Sequence, residues 1–106
     1  MIARIWKGIT RQQDRDTYLD YLNKTGLPDY QSTQGNRGVF VLCRVFDDKA
    51  EFTLISLWDS WDSIKNFAGP ECEKAVYYPE DRKFLLELEP HVIHYEVLAA
   101  PAIEKS

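Results

Sequence analysis

Apolar and polar residues alternate from Ile2 to Ile9, IARIWKGI, setting Ile2, Arg4 and Trp6 on one face of a first strand and Ala3, Ile5 and Ile9 on the other. Thr10 to Gln13 reads as a capping box, which predicts a helix starting near Arg11 with an apolar stripe of Tyr18, Leu19, Tyr21 and Leu22. Gly26 suits a left-handed C-terminal position and Pro28 prevents the helix from resuming, so Asp29 to Gly38 reads as turns. Val39 to Phe46 is a second apolar run, separated from the next only by Asp47, Asp48 and Lys49, which predicts a hairpin. The stretch FTLISLWDSWDSIKNF, Phe52 to Phe67, starts with a β-favouring period and changes after Trp58. Trp61, Ile64 and Phe67 then recur three residues apart, with Ser60 as the helix cap and Gly69 and Pro70 as its stop. Short helical pieces are expected over Glu71 to Val76 and Glu80 to Glu87, interrupted by Pro79, before a fourth strand, HVIHYEVL, from His91 to Leu98.

Strand, helix, strand, strand, helix, strand is the ferredoxin-like βαββαβ order: an α+β fold with a four-stranded antiparallel sheet and helices on one face. The expected domain runs over 1–98, followed by a tail from Ala99 to Ser106 that is either loose or reaches a partner. Two helices cover one sheet face only. The other would leave a large apolar patch in water, which predicts a homodimer with the uncovered faces together and a cavity between sheet and helices in each subunit.

Composition narrows the partners more than the chemistry. A formal net charge of −4 with 28% charged residues lacks the basic footprint of nucleic-acid binding. No apolar run nears the length of a membrane helix, so the expected setting is cytoplasmic, with no membrane partner. Cys43 and Cys72 read as buried thiols, and no Cys/His cluster has zinc-like spacing, so no metal is expected.

The block LISLWDSWDSIKNFAG, Leu54 to Gly69, with the closing VIHYEV, Val92 to Val97, resembles the antibiotic-biosynthesis-monooxygenase family of dimeric α+β barrel proteins. By element order the resemblance spans Ile2 to Leu98. It implies this fold, a homodimer, and either cofactor-independent oxygenation of small planar aromatics such as phenols, hydroquinones and polyketides, or haem binding. Against the haem-degrading branch, Phe67 and Tyr77 stand where a tryptophan and a histidine ligand are expected, and Trp6 where an asparagine is, which disfavours haem. Against many quinol-oxidising relatives, Phe67 replaces a histidine and Ser56 an acid.

Oxygenation without a cofactor needs a base, an anion-stabilising donor and a dry aromatic box. His94 is the candidate base, since histidine titrates near neutrality, and Val92 and Glu96 share its face. Arg4 or Tyr77 is the candidate anion stabiliser, and Trp6, Trp58 and Phe67 are the expected ligand walls. Each also has a plain structural reading: Arg4 pairing with an acid at the dimer seam, Trp58 and Trp61 as core, Tyr77 and Tyr78 as loop anchors. The run Glu80, Asp81, Arg82, Lys83 reads as solvated charge. The alternative to an enzyme is a non-catalytic homodimer binding a small ligand or haem through Tyr77 or His94, or a structural dimer with no ligand.

Overall fold

The computed structural model describes residues 1–101. Strand β1 spans Ile2–Arg11, followed by a 3-10 turn over Gln12–Asp14 and helices α1 (Arg15–Lys24) and α2 (Gly26–Ser32). Strands β2 (Asn36–Phe46) and β3 (Lys49–Trp58) lead to α3 (Trp61–Ala68), the short α4 (Asp81–Phe84) and β4 (Ile93–Glu96). The strands form one sheet in the order β2-β3-β1-β4, each neighbouring pair antiparallel, which is the ferredoxin-like arrangement.

The register sorts side chains as the alternation predicts. Arg4 lies opposite Ser56, Trp6 opposite Leu54 and Gly8 opposite Phe52, all on the face the helices cover. Ile5 opposite Ile55 and Phe40 opposite Ile55 lie on the other, uncovered face. The core forms between the covered face and the helices, where Tyr18 and Leu22 of α1, Tyr30 of α2 and Ile64 of α3 meet Phe52, Leu54 and Trp58. The β2–β3 hairpin turns on Asp47 and Asp48, both at positive φ (47° and 61°), as a two-residue turn matching the strand twist requires.

Three local expectations are corrected. Thr10 does not cap a helix: β1 continues to Arg11, paired with Lys49, and Thr10 is fully buried with its hydroxyl donating to the Arg11 carbonyl at 2.9 Å. The ladder offers the backbone regular partners, so the helical start moves to Arg15. Pro28 does not end helical structure either. The chain bends at Thr25 (φ −120°, ψ −84°) and a new helix, α2, starts at Gly26, placing Pro28 in a first turn where no amide hydrogen is needed. Glu71 to Val76 is not helical. It forms a turn and then a bridge of Lys74 to His91, while the Ala75 N–H donates to the Pro90 carbonyl at 2.9 Å.

The last strand is shorter than its alternation suggests, pairing only Ile93–Glu96 with Ile2–Ile5. Farther along β1 the jointed connection takes over, with the Leu86 N–H donating to the Ile9 carbonyl at 2.8 Å. Residues 99–101 are in no helix or strand, and the rest of the expected tail, 102–106, lies outside the described residues.

Candidate active site

The sheet-to-helix corner expected after Trp58 is built by a serine cap. Ser60 Oγ accepts from the Ser63 N–H at 3.2 Å, starting α3, and Gly69 at φ 88° ends it. Between cap and stop, Ile64 and Phe67 turn inward and Trp61 outward. The Phe67 ring stacks on Tyr30 of α2, with centroids 4.3 Å apart and planes 20° apart, and lies 5.5 Å from Trp58. The bend at Thr25 thus has a consequence for the site, because it brings Tyr30 onto Phe67.

Beneath these rings is a small cavity of about 20 Å³, lined by Arg4, Trp6, Tyr18, Tyr30, Leu54, Phe67, Val76, Tyr78 and Asp81, among others. That is room for about one water molecule. Of the residues expected at the site, Arg4, Trp6 and Phe67 line it together. Trp58 does not; it is wholly buried behind Phe67, its indole N–H donating to Ser56 Oγ at 2.9 Å. Tyr77 also lies outside the lining: its hydroxyl accepts from Trp6 Nε1 at 3.2 Å and donates to the Glu89 carbonyl, so it is the anchor that fixes the Trp6 indole. Trp6 lies back along β1, where a Cβ at Gly8 would come within 2.2 Å of Trp6 Cη2. Gly8 therefore provides the bed for the indole.

His94 sits directly across from Arg4 in the β1–β4 register, on the covered face but not in the cavity lining. Its ring meets the edge of Trp61 at 4.9 Å, and its Nε2 is buried without a partner among the described residues. Burial and then the Arg4 charge push its pKa below the usual histidine value, partly opposed by Glu73. The neutral ring is therefore favoured.

The residue that sequence reasoning missed is Asp81. Within a run that looks solvated, it is only 3% exposed and faces the cavity. Its Oδ1 accepts from the Tyr18 hydroxyl at 3.1 Å and its Oδ2 from the Tyr78 N–H at 2.6 Å. Burial raises its pKa above the ordinary aspartate value, against the lowering effect of those two hydrogen bonds. The one sequence signal that could have marked it is its place just after Tyr77-Tyr78-Pro79, at the start of a helical turn. Tyr18, Tyr30 and Tyr78 all have pKa values raised, first of all by burial, so their hydroxyls stay protonated near neutral pH.

Arg4 is the cavity's other charged group, at 1% exposure. Its Nη2 donates to the Lys74 carbonyl at 3.0 Å and its guanidinium carbon lies 5.4 Å from the Phe67 centroid. Arg4 and Asp81 form no ion pair with each other. A buried acid and a buried cation thus share an aromatic cavity without neutralising one another, an arrangement able to take a proton at one wall and hold the resulting anion at the other. Among the described residues no three His, Cys, Asp or Glu side chains gather as metal ligands would, and neither Tyr77 nor His94, the two considered for haem iron, lines the cavity.

No protein-family model matches the chain, and no curated protein matches it significantly. Solved structures do. A protein of unknown function from Nitrosomonas europaea superposes with a TM-score of 0.72 at 16% identity, over 98% of this chain and 95% of that one. A candidate antibiotic biosynthesis monooxygenase from Bacillus cereus superposes with a TM-score of 0.68 at 14% identity, over 99% of this chain and 98% of that one. The chain therefore has the fold of a candidate antibiotic biosynthesis monooxygenase, in agreement with the family that its Leu54 to Gly69 block resembles.

Proposed function

We propose that this protein is a homodimeric, cofactor-independent monooxygenase-type enzyme acting on a small planar aromatic hydroxy compound at the Arg4–Asp81 cavity. The observation that carries the reading is the unpaired coexistence of a buried carboxylate with raised pKa and a buried guanidinium between aromatic walls. The fold shared with a candidate monooxygenase supports it.

In this reading Asp81 accepts the phenolic proton, a role the sequence suggested for His94, and Arg4 holds the phenolate. Phe67, Tyr30 and Trp6 fix the ring plane and keep water out. The anion is electron-rich enough to reduce dioxygen directly. Dioxygen bonds to a ring C–H carbon conjugated with the phenolate oxygen. The O–O bond then breaks, one oxygen stays on the carbon as C=O or its enol, the other leaves as water with the ring hydrogen and a phenolic proton, and the reducing equivalents come from the substrate. Since the cavity as it stands holds about one water, ring entry requires the Val76–Tyr78 wall to move outward. That wall belongs to the connection between α3 and β4, whose helical content is the short α4.

Oxygen uptake with a panel of hydroquinones and anthrone-like polycyclic phenols tests the proposal. Turnover in the wild type, with kcat reduced at least about 100-fold in Asp81→Asn and His94→Gln changed mainly in KM, is the expected result. A collapse of kcat in His94→Gln with Asp81→Asn little affected would return the base to His94. Saturable binding with no oxygen uptake would make the protein a ligand-binding dimer instead.

A further inference from the structure

We propose that the substrate carries a carboxylate on its planar ring system, ortho to the phenolate oxygen, and that the two groups share the Arg4 guanidinium, with His94 beside the carboxylate. The inference rests on the cavity being a planar-ring site, and deepens that reading by naming the charge of what it takes.

A buried charge is costly unless it is paired. The arginine pairs among the described residues follow that logic at the surface: Arg11 with Asp14, Arg15 with Asp16, Arg37 with Asp59 and Arg44 with Glu51 are all water-exposed cations with carboxylate partners. Arg4 inverts it. It is the most deeply buried cation described, and no carboxylate among the described residues pairs with it. Its side chain donates to the neutral Lys74 carbonyl and is hydrogen-bonded to the neutral Tyr30 hydroxyl, and its Nε has no partner. The polar side chains beside it are the Tyr30 and Tyr78 hydroxyls and the Cys72 thiol, none of them a carboxylate. Asp81 lines the same cavity but is engaged by Tyr18 and Tyr78.

The second unpartnered buried nitrogen of the described residues is His94 Nε2, on the residue paired with Arg4 across the β1–β4 register. Arg4 Nε, on a residue of the cavity lining, and His94 Nε2, on a residue just outside it, are orphaned on facing positions of adjacent strands and point to a ligand group that bridges the two. A carboxylate accepts from a guanidinium edge and from an imidazole N–H. Such an anion would also offset the burial that depresses the Arg4 pKa.

Anaerobic titration of the wild-type protein with naphthalene-1,4-diol and with its 2-carboxylate, followed by quenching of its tryptophan fluorescence, tests the inference directly. The carboxylate is expected to bind at least 10-fold more tightly, and benzoate, but not benzamide, to displace it. In Arg4→Met the advantage should vanish, and in Arg4→Lys survive in part. Equal affinity of the two probes would overturn the carboxylate assignment while leaving the planar-ring reading intact. A preference that persists undiminished in a folded Arg4→Met protein would overturn Arg4 as the anchor. Failure of both probes to bind would overturn both readings.

Discussion

At Asp81 the competition between burial and hydrogen bonding decides what the carboxyl can do. Burial raises its pKa, while the Tyr78 N–H and the Tyr18 hydroxyl stabilise the charged form. Tyr18→Phe removes one of those donors, so the Asp81 pKa rises further and the acid limb of the pH–rate profile moves to higher pH. The same change should cost about 1–3 kcal/mol of stability, read by urea unfolding, because Oδ1 loses its buried partner. His94 acts in the opposite direction. Its pKa is lowered on folding, so it contributes stability that is complete above its unfolded value near 6.5 and is lost as pH falls through its lower folded value. Melting temperature followed downward from pH 7.5 should decline more steeply in the wild type than in His94→Gln; parallel profiles would mean that Arg4 and burial do not perturb this ring.

At the level of elements, two short signals position most of the site. The Ser60 cap starts the helix that delivers Phe67, and Ser60→Ala should cost about 1 kcal/mol, or about 4–8 °C in melting temperature for a domain of this size. The Asp47–Asp48 turn holds two non-glycine residues in the left-handed region, so Asp48→Gly should raise stability by about 1 kcal/mol. These elements were legible in the sequence because their signals are local: period-two alternation in β1 and β3, a serine before a helical spacing, and a short polar gap between strands, read as Asp47 to Lys49 although Lys49 already opens β3. The missed parts are those set by distant contacts. Tyr30 was hidden because Pro28 reads as a breaker, although a proline in a first turn breaks nothing. Asp81 was hidden because its contact with Tyr18 spans sixty-three positions of the chain, and the local signal beside it, Tyr77-Tyr78-Pro79, sits in a run of charges. Trp58 and Tyr77 were placed in the cavity by their chemistry, whereas packing uses them to support the walls, Trp58 behind Phe67 and Tyr77 under the Trp6 indole.

For the whole molecule the unresolved demand is the face that the helices leave bare. Phe40, Leu42, Ile93 and Tyr95 on it are 54%, 49%, 59% and 53% exposed, and Ile5 and Ile55 lie between them across the paired strands. A contiguous apolar surface spread over all four strands is larger than a monomer ordinarily leaves in water. A second copy of the same face, related by a two-fold axis, would cover it with a self-complementary contact, and a stable contact of that kind buries roughly 800 Å² per partner. Phe40→Glu discriminates cleanly. Half its side chain is already in water in the monomer, so the substitution should alter monomer stability by no more than about 0.5 kcal/mol. In a dimer it would bury a carboxylate from each copy, without a counter-charge, in an apolar seam. Sedimentation should therefore show a dimer for the wild type at micromolar concentration and a folded monomer for Phe40→Glu. A variant that remains dimeric would place the contact elsewhere, and a wild type that sediments as a monomer would mean that this face serves a different partner.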